Sequence, residues 1–319
     1  MSEAAPAPVL HVEAAGPFTT IQDLGRSGRR AAGVPPGGAM DRFALSAANL
    51  LVGNPEGAAA LECALGGPAL VALRGCLVAV TGADLGAALN GRPLPGWTGL
   101  FLSAGDRLTF EGRRWGARAY LAVAGGLAAD RWLGSASTYL LVGRGGVHGR
   151  MLKAGDELTP AAPAPRPLVA GRCLPEPLRP VYRSEPELSV VPGPHQDHLT
   201  AASRRQLLAQ AWTVSRDADR MGYRLDGAPL AVKVEELVSF GLAMGAVQVP
   251  PAGQPILLMA DHQTAGGYPV VAGVSRADLP LAAQLLPGQQ VRFRQTTVEA
   301  AQAAWRSLRA SLDTLRAPR

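Results

Sequence analysis

The stretch DLGRSGRRAAGVP, Asp23 to Pro35, sets three arginines among four glycines and prolines, and DADRMGYRLDGAP, Asp217 to Pro229, matches it without a gap. Asp, Arg, Gly, Arg, Gly and Pro recur at Asp23/Asp217, Arg26/Arg220, Gly28/Gly222, Arg30/Arg224, Gly33/Gly227 and Pro35/Pro229, every pair 194 residues apart. Repetition at so long a period argues for two related halves rather than a short tandem array. It extends outward. GPALVALRGCLVAVTGAD, Gly67 to Asp84, resembles GAVQVPPAGQPILLMAD, Gly245 to Asp261, and AGDRLTF, Ala104 to Phe110, resembles PGQQVRF, Pro287 to Phe293.

Between these blocks, short apolar runs separated by Gly, Pro and Asp about every ten residues predict sandwich or barrel strands. Helices are few. One is predicted from Asp41, as N-cap of DRFALSAANLLVGN, to Gly53, another after Thr200. A C-terminal helix follows Thr296 and Glu299, which form a capping-box pattern ahead of Val298, Ala301, Trp305, Leu308 and Leu312. Residues 160 to 194 hold ten prolines, which favours an extended connector over packed structure. The expected division is 9–165, a connector at 166–187, and 188–315.

The 319 residues, 47% hydrophobic, are enough for two ordinary cores. The longest apolar run, near Val78, is broken by Thr81, Gly82 and Asp84, and MSEAAPAPVL lacks a basic start, so a soluble, cytoplasmic chain without a membrane span is expected. Cys63, Cys76 and Cys173 lie in no CxxC spacing and are expected to be buried, reduced thiols. The formal charge of +6 is carried in scattered turns with few aromatics between, which fits a solvated basic surface and not a nucleic-acid site. Only Lys153 and Lys233 are lysines. Neither lies between two methionines, which argues against covalent biotin on this chain. Arginine therefore carries nearly all the positive charge, suiting bidentate contact with carboxylates.

No GxxxxGK[ST], HExxH or GxSxG pattern is present. His195, Asp197 and His198 could ligate a metal, but a third ligand is not evident, and no metal is expected. In MADHQTAGGYPVV, Met259 to Val271, an apolar strand runs into Asp261, His262, Gln263 and Thr264, then Gly266, Gly267 and Tyr268. Such side chains supply donors and acceptors in both protonation states, and the double glycine lets backbone amides approach a ligand. A tight polar turn explains the same residues. On the first reading, Asp261 and His262 do acid/base or orienting work, Gln263, Thr264, Gly266, Gly267 and Tyr268 bind substrate, and Arg26, Arg30 and Asp41 add polar contacts. LGSAST, Leu133 to Thr138, is read as a turn ahead of an anion site. The repeated DxxRxGxR is more easily explained by structure: Asp23, Asp219, Arg220 and Arg224 are expected to lock Gly-bent corners.

GPFTTIQDLGRSGRRAAGVPPGGAMD, AANLLVGNPEGAAALE, AYLAVAGGL with LGSAST, GGVHGRMLKAGD, DADRMGYRLDG and GAVQVPPAGQPILLMADHQTAGGYP together resemble the KipA family, also called allophanate hydrolase subunit 2 or carboxyltransferase subdomains A and B. The likeness runs from about Val9 to Phe293. It implies a mainly β chain of two related cyclophilin-like β-barrel halves with a few short helices and a C-terminal helix. A KipI-like B-type subunit is the implied partner. The function implied first is the C-type subunit of ATP-dependent 5-oxoprolinase, which works with that partner and an A-type subunit to open 5-oxoproline to glutamate, ATP being co-substrate of the heteromer. Transfer of a carboxyl group from biotin to urea or a related amide is the alternative, and antagonism of a histidine-kinase inhibitor is the third. Two departures stand out: Ala218 replaces a common Ser, and Phe240 follows Ser239 where many relatives carry an acid.

Overall fold

The computed structural model describes residues 7–164, 169–233 and 237–316. The chain is mainly β and forms two compact units. They are not separated by one cut. Residues 1–26, 41–179 and 310–319 make the first unit, whereas 27–40 and 180–309 make the second.

The first unit holds two antiparallel sheets. One has six strands in the order Glu157–Leu158, Leu10–Ala14, Ala69–Ala72, Arg107–Phe110, Ala87–Leu89, Arg92–Pro93; the other runs Phe18–Gln22, Ala60–Ala64, Trp115–Val123, Cys76–Asp84, Thr98–Leu102. Leu10, Val12, Leu61, Leu70, Leu108 and Leu121, all essentially unexposed, share its core. Helix α1 (Arg42–Leu51) is buried from Phe43 to Leu51, and it starts where the sequence places it: the Asp41 carboxylate accepts from the Ala44 amide at 2.9 Å. At its other end Gly53 takes a left-handed φ of 78°.

The second unit is a closed barrel of seven strands: Glu187–Pro192, Val270–Val274, Ala246–Gln248, Ile256–Leu258, Gly222–Asp226, Trp212–Val214 and Gln290–Gln295. Parallel pairing of the first with the last closes it, so neither edge is left open. Trp212, Tyr223, Leu225, Val247, Leu257 and Phe293 fill the interior. Helix α2 (Ala201–Ala209) is capped by the Thr200 hydroxyl, which accepts from the Ser203 amide. A short α3 (Leu279–Ala282) precedes the last strand.

Helix α4 (Val298–Asp313) confirms the expected C-terminal helix but begins one residue later than its capping-box pattern implies. Thr297, not Thr296, accepts from the Ala300 amide. The apolar stripe on α4 is also less buried than its periodicity suggests: Leu312 is covered, while Val298 is exposed. The proline-rich stretch needs a second correction. Residues 166–168 lie outside the described residues, but Gly171 to Arg179 is docked on the first unit: Gly171 and Leu174 donate to the carbonyls of Gly99 and Trp97, and Leu174 is fully buried. Proline prevents helix here without preventing packing, because an extended segment can still pair by its remaining amides.

The matched strand starts of the two halves share a geometry. Ser103 to Asp106 and Leu286 to Gln289 are turns closed by an i+3 amide to the i carbonyl, with Gly105 and Gly288 at φ 87° and 86°. In each, the fourth side chain accepts from the first amide, Asp106 from Ser103 and Gln289 from Leu286. Pro287 before Gly288 is what a type II turn selects. Lys153 to Asp156 repeats the device.

Candidate functional site

The two copies of DxxRxGxR do different work. Asp23 accepts from the hydroxyls of Ser135 and Ser137 at 2.6 Å each, and from the amides of Ala136 and Gly25 at 2.7 Å. Leu133 to Thr138 is therefore a carboxylate-binding turn whose anion is the chain's own Asp23. Nearby, the Arg26 side chain is 2% exposed, donates to the Ser137 carbonyl, and lies 5.0 Å from the Trp132 ring centre and 5.8 Å from that of Tyr139. Arg26 is thus held inside the first unit. Asp41, N-cap of α1, is fully buried there and its amide donates to the Tyr120 hydroxyl.

In the second unit, Asp219 accepts from the amides of Met221 and Gly222, which forms the local corner expected of it. Arg220 reaches Asp261: Nε donates to Oδ2 at 2.8 Å and Nη2 to Oδ1 at 3.2 Å. The Asp261 amide in turn donates to the Arg220 carbonyl. The Pro35–Met40 segment, which belongs to this unit, joins the same knot, for Gly37 donates to the Ala260 carbonyl and the Gly38 carbonyl accepts from Arg220. Asp261 and His262 are 8% and 1% exposed. His262 Nδ1 lies 2.6 Å from the Gln263 carbonyl, which can only accept, so Nδ1 carries a proton and donates it there.

The loop beyond His262 is pinned from one side. Ala265–Gly266 pairs with Phe240–Gly241, Leu242 donates to the Thr264 carbonyl, and Arg30 Nη1 donates to the Leu242 carbonyl at 3.0 Å. Arg30 is therefore a tether of the strand that holds the loop. The room at the double glycine is largely used by the protein itself. A Cβ on Gly266 would lie 2.6 Å from Gln263 Nε2, and one on Gly267 would lie 2.9 Å from the Leu237 carbonyl. Phe240 packs against His195 with ring centres 4.5 Å apart and planes tilted by 39°.

On the outer face of the barrel the same unit carries a cavity of about 540 Å³. Gln263 and Tyr268 line it from the loop, Gln248 and Gln254 from the neighbouring strand and turn, and Asp217, Asp219, Arg224 and Asp226 from the repeated motif. The alternation of Gly222–Asp226 explains the last group: Tyr223 and Leu225 face the core, so Arg224 and Asp226 face outward together. Arg224, expected to lock a corner, instead presents its side chain to this cavity. Gln248 and Gln254 escape a motif reading, because only the pairing of Gly222–Asp226 with Ile256–Leu258, and of the latter with Ala246–Gln248, brings their segments beside it. The HxxH pair is not part of it. His195 Nδ1 accepts from the Val270 amide at 3.3 Å, and no cluster of three metal-ligating side chains occurs among the described residues.

Two thiols are as expected and one is not. Burial pushes Cys63 up to about 12 and Cys76 up to about 11, whereas Cys173, on the docked extended segment, is exposed. No helix among the described residues is long and apolar enough to cross a membrane.

The family model described as carboxyltransferase domain, subdomain A and B, matches residues 32–295. The chain is 41% identical over 296 residues to the 5-oxoprolinase C subunit of Escherichia coli (strain K12), covering 92% of this chain and 93% of that protein. It is 34% identical over 303 residues to a putative urea carboxylase of Emericella nidulans, covering 91% of this chain but 24% of that one. The crystal structure of the K. lactis urea amidolyase superposes with a TM-score of 0.91 at 28% identity, over 99% of this chain and 20% of the larger one.

Proposed function

The chain belongs to the carboxyltransferase subdomain A and B family, and from that premise we propose that it is the C-type subunit of an ATP-dependent 5-oxoprolinase, acting with a KipI-like B-type subunit and an A-type subunit in a cytoplasmic heteromer. The observation that carries this reading is the end-to-end match to the C subunit of 5-oxoprolinase, in which 92% of this chain accounts for 93% of its relative. The urea carboxylase and amidolyase relatives also match over nearly all of this chain, but it spans only about a fifth to a quarter of their length. Carboxyl transfer from biotin to urea or a related amide is the second reading that they support.

The chemistry of the first reading starts from a poor leaving group. A lactam nitrogen is not expelled by water at neutral pH, so the oxygen is activated by the γ-phosphoryl group of ATP, releasing ADP. Water then adds to the activated carbon, the C–N bond opens with protonation of nitrogen to leave an acyl phosphate, and a second water hydrolyses that to the γ-carboxylate and free phosphate. In this reaction Asp261, committed to Arg220, is an orienting group. His262, whose Nδ1 proton is fixed on the Gln263 carbonyl, is the side chain suited to moving a proton through Nε2. The proposed substrate contacts are Gln263 and Tyr268, with Thr264, Gly266 and Gly267 shaping the loop.

The test is reconstitution. This chain is mixed with its KipI-like and A-type partners, and glutamate and ADP are measured from 5-oxoproline and ATP. Product formed only when all three are present supports the proposal. Carboxylation of urea by a biotin-loaded carrier would replace it with the second reading. A tight complex that turns over neither would point to an antagonist of a kinase inhibitor.

A further inference from the structure

The outer-face cavity has a charge pattern that the proposed reaction leaves unused. Its lining carries one guanidinium, that of Arg224, and three carboxylates, those of Asp217, Asp219 and Asp226. Asp219 is already engaged with the Met221 and Gly222 amides. Among the described residues, the side chains of Arg224 and Asp226 make no hydrogen bond or ion pair, either with each other or with a neighbour. They stand two residues apart on one face of one strand, a separation of about 7 Å along the backbone. Two opposite charges so placed, both facing a cavity and neither spent on the other, suit a ligand that brings its own anion and N–H donor side by side.

Resting on the reaction proposed above, whose substrate and product both carry a carboxylate next to a nitrogen, we propose that Arg224 and Asp226 form a two-point clamp for α-amino carboxylates. Arg224 takes the carboxylate through its planar fork of donors, and Asp226 accepts from the lactam N–H or the ammonium. Gln254 and Gln263, whose side chains make no hydrogen bond among the described residues, face the far end of the ligand, where a lactam carbonyl or a γ-carboxylate would sit. An amide can donate to either. The surplus of carboxylates repels polyphosphate, so the nucleotide of the reaction binds elsewhere.

Titration calorimetry on the full-length chain, and on its complex with the partner subunits, uses four probes. Glutamate and 5-oxoproline carry both groups, glutarate lacks the nitrogen, and 2-pyrrolidinone lacks the carboxylate. The two bifunctional probes are expected to bind at least about tenfold more tightly than the others, since each charge-assisted contact is worth about that much. Arg224→Gln should weaken glutamate about tenfold and leave 2-pyrrolidinone unchanged. Asp226→Asn is the sharper variant, because removing a negative charge should tighten every anion if the cavity is only an electrostatic field. The clamp requires glutamate to weaken about tenfold while glutarate holds or tightens. Both side chains are exposed, and circular dichroism checks that the variants fold; the wild-type ranking of the four probes stands without them. Equal affinities for the four probes, no binding of any, or tighter glutamate in Asp226→Asn overturns the clamp. Turnover of 5-oxoproline by the assembled complex is measured alongside: its absence with the ranking intact defeats the proposed reaction and leaves the clamp, and its presence with equal affinities does the reverse.

Discussion

Arg220 holds Asp261 by two hydrogen bonds, 2.8 Å from Nε to Oδ2 and 3.2 Å from Nη2 to Oδ1, and the same Nη2 donates to the Gly38 carbonyl. One guanidinium thus joins the corner before a barrel strand, the start of the DHQTAGGY loop and the Pro35–Met40 segment. With the two side chains 21% and 10% exposed, the pair lies between a surface bridge and a buried one. Arg220→Lys keeps the charge but cannot span two oxygens and a carbonyl. It should lower unfolding free energy by about 1–3 kcal/mol, read by urea denaturation. An unchanged midpoint would show that the knot is held by its backbone bonds alone. Asp219→Ala, which removes acceptors for two turn amides, should cost about 1 kcal/mol and alter ligand affinity less than it alters stability.

Asp23 has more partners and less solvent. Two hydroxyls and two amides point at a carboxylate that is 7% exposed. Asp23→Ala strands these donors and should destabilise by about 2–4 kcal/mol. Since the turn is an anion site with its anion removed, added formate or acetate should restore part of the lost thermal stability of the variant and none to the wild type. Equal response of both proteins to the anion would refute the account.

What could be read from the chain alone was local. The caps at Asp41 and Thr200 and the turns around Gly105 and Gly288 rest on residues within a few positions of each other, where side-chain chemistry and φ preference decide the outcome. The roles of the repeated arginines were not local. Arg26 meets a carbonyl 111 residues away and Arg220 a carboxylate 41 residues away, so the same motif takes its role from whatever the strand pairing brings to it. The cavity was half legible. Gln263 and Tyr268 follow from the loop's composition, whereas Arg224 and Asp226 need the in-out alternation of their strand, and Gln248 needs its register with Ile256. The exposure of Cys173 had no sequence signal, because it depends on which side of an extended segment meets the sheet.

That thiol gives a direct measurement. Cys63 and Cys76 are buried and held protonated, with ionisation pushed to about 12 and about 11, while Cys173 is exposed. At pH 8 a disulfide reagent such as dithionitrobenzoate should label one thiol per chain quickly and all three only after denaturation. Cys173→Ser should abolish the fast phase. Two fast thiols in the native protein would contradict the packing around the first-unit core.

His195 gives the chain a pH dependence with a definite sign. Burial first, and the neighbouring His198 second, lower its pKa below the ordinary histidine value of 6.5. Its Nδ1 also accepts from the Val270 amide, which a protonated ring cannot do. Between the depressed folded value and 6.5 the unfolded chain binds more protons than the folded one, so stability rises with pH across that window and is lost as pH falls through it. Urea midpoints should therefore drop on going from pH 7 to below 6. In His195→Asn, where nothing titrates at this position, the decrease should be smaller. An equal decrease in both proteins would assign the effect to other groups.

Gly266 separates shape from stability at the proposed site. Its backbone is paired with Phe240, and a Cβ there would come within 2.6 Å of Gln263 Nε2 and 3.1 Å of a Leu242 methyl. The nearest atom is the end of a flexible side chain, so the strand pair can persist while Gln263 swings away from its place at the cavity. Gly266→Ala should accordingly change the unfolding midpoint little, by under about 1 kcal/mol, yet weaken binding of 5-oxoproline and glutamate. Gln263→Ala should weaken both ligands by a similar factor, since each variant removes the same amide, and combining the two should add nothing further. Full additivity in the double variant would mean that the glycine acts on the ligand by a route other than Gln263, with the backbone of Ala265–Gly266 itself as the remaining contact.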